Sequence, residues 1–186
     1  MLCRDLVAIL FSAALMSCAA HAAPARKVGV ITPWEAGNPQ EARRIAELRD
    51  ELGKRGLRVG EQIELHVERG GSDFERTRRA LLEAAAAGVD AVVCLSSECA
   101  HLAVRAIDRP VVFMGYTDPV ADGIAESWSR PGGRVTGYTA FLPLEDKRLQ
   151  MLRDAFPQAR RLAVLEDGAS RLTGAQRERL EATLRA

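Results

Sequence analysis

The sequence predicts an α/β fold: a parallel sheet covered by helices on both faces. Three observations predict it. Short continuous apolar runs, Val28–Ile31, Ala91–Leu95 and Val111–Met114, recur with amphipathic stretches between them, the pattern of buried parallel strands joined by helical crossovers. Another run, Ile63, Leu65 and Val67, alternates with charged or polar neighbours, as a half-exposed edge strand does. Caps and stops punctuate the intervening stretches at helical intervals.

The chain opens on a segment to be set apart from the fold. In Met1–Ala23, Arg4 gives a minimal positive start, Leu6–Met16 is an apolar stretch too short to span a membrane comfortably, and Ala20-His21-Ala22 fits a small-residue cleavage site. Together these read as a secretory signal. Leu15-Met16-Ser17-Cys18 also loosely resembles a lipoprotein box, with an unusual Met at its middle. Lipid attachment at Cys18 is thus the weaker of two processing routes.

After Val28–Ile31, Asn38-Pro39-Gln40-Glu41 offers an N-cap, a first-turn Pro and a capping-box Glu. Ile45, Leu48 and Leu52 then share one helical face, and Gly56 stops it. Ser72-Asp73-Phe74-Glu75 reads as a second capping box for a helix running through Leu81 and Leu82 to Gly88. Following Ala91–Leu95, Ser96 and Ser97 can cap a third helix carrying His101, Leu102, Val104 and Ile107. Val111–Met114 ends at Gly115, and Thr117-Asp118-Pro119 reads as a further helix start with outward-pointing amides. Arg130-Pro131-Gly132-Gly133 is a turn, and a short apolar segment with Val135 and Thr136 follows. Beyond Tyr138, Pro143 opens a helix with Leu149, Leu152 and Phe156 on one face, Leu162–Leu165 reads as a strand, and Leu172, Leu180 and Leu184 mark a final helix.

Composition narrows the function. The chain is 47% hydrophobic and 27% charged with a formal net charge of +1, which argues against a nucleic-acid binder with its basic face. Of four cysteines, Cys3 and Cys18 fall in the leader. Cys94 and Cys99 could pair in an oxidising compartment, or stay as two buried thiols in a strand and the following helix. No metal-ligand spacing is present, and no cofactor is implied. A serine elbow needs glycines two residues either side, where Ser96 has Cys94 and Glu98. Thr32-Pro33-Trp34 replaces the Gly-rich turn of a dinucleotide fold, and no phosphate loop occurs. In a receiver domain the acceptor Asp ends its strand, whereas Asp90 precedes one. The chain is accordingly not expected to be an enzyme, and no residue is assigned a catalytic role.

Ligands of such sheets bind beyond the carboxyl ends of the strands, where strand order reverses. In a 2-1-3-4-5 order the loops meeting there are Thr32-Pro33-Trp34-Glu35, Ser96-Ser97-Glu98 and Tyr116-Thr117-Asp118. They supply hydroxyls, helix-start amides and two aromatic faces, a set suited to a small polar solute with a carboxylate. The candidate ligand-binding residues are therefore Thr32, Trp34, Ser96, Ser97, Tyr116, Thr117 and Asp118. Capping alone accounts for Ser96, Ser97 and Asp118, and packing alone for Trp34 and Tyr116, but neither excludes ligand contact. Trp128 reads as structural, and His101 as a satisfied helix residue.

The stretch PVVFMGYTDPVADGIAESWSRPGGRVTGY, residues 110–138, resembles the bacterial substrate-binding proteins that serve ABC importers, in their aromatic-amino-acid and uncharacterised-solute branch. The likeness extends back to Val28 and forward through Lys147-Arg148-Leu149 to Leu162–Leu165. It implies a type I periplasmic-binding-protein-like fold, with a first α/β lobe over 24–138 and the start of a second, incomplete lobe over 139–186. It also implies a periplasmic protein that captures a small solute, such as an amino acid, and hands it to an ABC permease, with no membrane span after signal removal. Alternatives are an extracytoplasmic sensing or interaction domain, or a truncated remnant that binds nothing. One strand and two helices cannot bury a sheet of their own, so the apolar residues after Tyr138 are expected to be partly exposed or docked elsewhere.

Overall fold

The computed structural model describes residues 24–142, 144–163 and 174–185. The expected leader with Cys18, Pro143, the second half of the strand expected at Leu162–Leu165, and Leu172 lie outside the described residues. Five parallel strands form one sheet: β1 (Arg26–Thr32), β2 (Ile63–Arg69), β3 (Ala91–Cys94), β4 (Val111–Gly115) and β5 (Val135–Thr139), in the order β2-β1-β3-β4-β5. The helices are α1 (Pro39–Lys54), α2 (Phe74–Ala86), α3 (Ser97–Ala106), α4 (Glu145–Ala155) and α5 (Gly174–Arg185). Right-handed crossovers in this order put α1 on one face and α2 and α3 on the other.

The core lies on the α2–α3 face. Ile31, Val92, Cys94, Val111 and Phe113 point into it and meet Leu81, Ala84, Ala100 and Ala103. On the opposite face α1 reaches the end of β1, while among the described residues no helix covers β4 and β5. There Val112 is 43% and Tyr138 65% exposed, and the register sets Met114 beside Tyr138. Among the described residues, helical cover on both faces is thus complete only over the β1 side of the sheet.

Local chemistry departs from the predicted caps in three places. Asn38 caps α1, its Oδ1 accepting from Gln40 N at 2.8 Å, but Glu41 does not close a capping box. It turns onto the sheet, where Thr32 and Arg69 bond it. The second helix is capped one residue later than expected: Asp73 Oδ1 accepts from Arg76 N at 2.7 Å, which puts Arg76 where a box would need an acid. Asp118-Pro119 starts a single turn and no helix. Asp122 N reaches Asp118 O at 3.0 Å, and Gly123 ends the turn at φ 65°, a conformation open to glycine.

That turn, with Ile124 in the core, fills the place of a crossover helix between β4 and β5. Arg134 ties the end of the connection to α3 through Ile107 O at 2.7 Å and Asp108 at 3.1 Å. Beyond β5, α4 and α5 touch one another and expose Met151, Leu152, Phe156 and Leu184, as expected of an unburied apolar set. Leu162 and Ala163 are not in a strand. Among the described residues no helix is long and apolar enough to cross a membrane.

Candidate functional site at the strand ends

The carboxyl ends of β1, β3 and β4 converge on a pocket of about 380 Å³. Of the predicted residues, Trp34, Ser96, Ser97, Tyr116 and Thr117 line it, and Thr32 and Asp118 do not. Leu95 and Met114 add apolar wall, and Gln40, Arg44 and Glu98 add polar groups that the sequence reading missed as ligand contacts. The missed residues had a signal in Gln40 and Arg44, four residues apart on one helical face beside the β1 loop.

The β1 loop is fixed by charge. Glu35 takes both Arg76 Nη1 and Nη2, the latter at 2.8 Å, and this guanidinium holds its carboxyl below the usual range. Trp34, half-buried, is carried by that loop. Behind it, Thr32 is buried and its hydroxyl donates to Glu41 Oε2 at 2.9 Å. Arg69 Nη2 meets the same carboxylate at 2.7 Å. The Arg69 hydrogen bonds, then that of Thr32, depress the Glu41 pKa against the cost of burial. Thr32 therefore supports the loop from beneath.

The loop between β3 and α3 is closed twice. Ser96 caps α3, its Oγ accepting from Cys99 N at 3.2 Å, and the sulfurs of Cys94 and Cys99 are joined, with Cα atoms 5.5 Å apart. Of the two states left open for these cysteines, the structure shows the disulfide. Ser97 is buried and its Oγ accepts from Tyr116 N at 2.9 Å, tying α3 to the end of β4. Gly115 permits this, since a Cβ there would overlap the Ser97 hydroxyl. Both serines act as acceptors, so each keeps its hydroxyl hydrogen for another group. Capping takes the Cys99 amide and leaves those of Ser97 and Glu98 at the positive end of the helix.

The β4 loop supplies the remaining wall. Tyr116 is 68% exposed, and the Thr117 Oγ1 is buried with no hydrogen-bond partner. An orphaned hydroxyl lining a pocket is a group awaiting a ligand or water. Asp118 spends its Oδ1 on Val120 N at 3.0 Å and Ala121 N at 3.1 Å. Its turn therefore offers no free amides to the pocket at those positions. His101 Nδ1 lies 3.1 Å from Asp122 O, a structural contact. Trp128 packs near Phe141, ring centroids 6.3 Å apart.

Residues 27–182 match the profile of the ABC transporter substrate binding protein family. The chain belongs to that family. It is 27% identical over 115 residues to a tyrosine-binding protein of Clostridioides difficile, a match over 61% of this chain and 33% of that protein. Solved structures share the fold. A Streptococcus pneumoniae ABC domain in complex with L-Trp aligns with TM-score 0.64 and 21% identity over 87% of this chain and 54% of its own. A ligand-free, open substrate-binding protein with adhesive properties from Clostridium difficile aligns with TM-score 0.59 and 24% identity over 86% and 52%. This family member thus spans about half the length of the solved structures it matches, and its match covers a third of the curated relative.

Proposed function

We propose that this chain is the extracytoplasmic solute-binding component of an ABC importer, capturing a small solute for a membrane permease. The solute is an amino acid with an aromatic or apolar side chain. The observation that carries this reading is the convergence of the β1, β3 and β4 loops on one pocket in a member of this family. Polar groups of the solute meet the Ser96, Ser97 and Thr117 hydroxyls and the first amides of α3, while Trp34 and Tyr116 take its side chain. No chemistry on the solute is involved. The secretory leader read at Met1–Ala23 delivers the protein to the periplasm, where its permease is reached.

Thermal unfolding with a panel of amino acids and simple acids, led by L-tyrosine and L-tryptophan, tests it. A ligand that binds the native state alone adds about 2.7 kcal/mol at a hundredfold excess over its Kd, and a clear rise in midpoint is expected. The S97A/T117A double variant is expected to lose that rise while still melting cooperatively. No shift with any amino acid, or an unaltered shift in the double variant, overturns the reading or the assignment respectively.

A further inference from the structure

The wall of the pocket holds two ionised side chains from different elements, Arg44 of α1 and Glu98 of α3. They do not pair with one another. Glu98 is half-buried and has no side-chain partner among the described residues. Arg44 gives one N–H, from Nη1, to Glu47 Oε2 at 3.0 Å, while Arg43 meets Glu47 Oε1 at 2.8 Å. A guanidinium carries five such donors, and Arg43 would still neutralise Glu47 if Arg44 turned to a ligand. The pocket thus keeps its positive and negative charge apart, with apolar and aromatic wall in Leu95, Met114, Trp34 and Tyr116.

We propose that Arg44 and Glu98 read the two charged ends of a zwitterionic amino acid, Arg44 its carboxylate and Glu98 its ammonium. The inference rests on the solute-binding reading above and adds the residues that set its selectivity. Arg44 can meet a carboxylate through two parallel N–H bonds, and the open amides at the start of α3 favour the same charge. Glu98 gives the ammonium the counter-charge that none of its protein neighbours takes. A ligand with only one of the two charges leaves the opposite wall uncompensated, and so simple acids and simple amines are rejected by the group they lack.

Isothermal titration of the full chain with L-tyrosine, tyramine and 3-(4-hydroxyphenyl)propionate separates the two roles, since the probes share a ring and differ in charged ends. Wild type is expected to favour L-tyrosine over both. Arg44→Gln should weaken L-tyrosine and the propionate about 10–100-fold, the range for a lost charge-assisted hydrogen bond, and leave tyramine unchanged. Glu98→Gln should weaken L-tyrosine and tyramine to a similar degree and spare the propionate. Uniform weakening of all probes, or no change in either variant, overturns this assignment while solute binding stands. Wild-type failure to bind any of the three overturns both.

Discussion

Glu41 shows how one residue connects the site to acid stability. It is 7% exposed at the start of α1 and is bonded by Thr32 and Arg69, from the ends of β1 and β2. The sequence pattern placed it correctly, three residues after an N-cap, but gave it the wrong partner. Local chemistry favours a capping box; the sheet offers a guanidinium and a hydroxyl, and a charge-assisted pair is the stronger competitor. Because the folded-state pKa is depressed, the stabilisation is fully present above the ordinary glutamate value and is lost as pH falls through the depressed one. Arg69→Ala leaves a buried carboxylate short of its donor and is expected to cost about 1–3 kcal/mol at neutral pH. The difference from wild type should shrink in acid, where Glu41 is protonated. Urea unfolding of both proteins at neutral and acid pH checks this, and a loss that does not vary with pH would mean that Arg69 contributes by packing.

At the scale of elements, the β3–α3 connection carries the most function in the fewest residues. Cys94 and Cys99 close a loop of sequence separation 5 around Leu95, Ser96, Ser97 and Glu98, all of them pocket-lining. A cross-link around so short a loop removes about 2 kcal/mol of unfolded-state entropy at 25 °C. The C94A/C99A double variant is expected to lower the melting midpoint accordingly, and an unchanged midpoint would show that the link adds nothing to stability. The sequence order of strands, the edge position of β2 and the helix stops at Gly56 and Gly88 were legible because they follow from apolar pattern and glycine. The loops that form the pocket were legible because parallel topology sends them to one rim. What could not be read was side-chain destination. Thr32 and Asp118 are typical site residues by type, yet a buried acid and two local amides claim them, whereas Arg44 shares a helical face with Gln40 beside the β1 loop, a spacing that in so charged a helix reads equally as a solvated face. The Asp118-Pro119 signal was genuine for one turn, and Gly123 then ended it.

For the whole molecule, the position of the core decides which part of the chain can stand alone. Its buried cluster runs from Ile31 to Ile124, with Val135 packed against it, and among the described residues draws nothing from α4 or α5. Those two helices contact each other while exposing Met151, Leu152, Phe156 and Leu184. Among the described residues two apolar surfaces are therefore exposed at once, this one and the face of β4 and β5 with Val112 and Tyr138, in a chain half as long as the solved structures it matches. The strand-end pocket depends on neither, since its walls come from the ends of β1, β3 and β4 with the loops that follow them, the first two turns of α1 and the start of α3. Residues 24–142 expressed alone are accordingly expected to melt in a single cooperative transition, within a few degrees of the full chain, because among the described residues removing α4 and α5 deletes no buried core contact and the remaining length is that of an ordinary domain. The shortened chain should also shift with the same ligands as the full one. A broad, non-cooperative melt of 24–142 would place essential packing after β5 and would refute the division of the chain into a complete first lobe and a partial second.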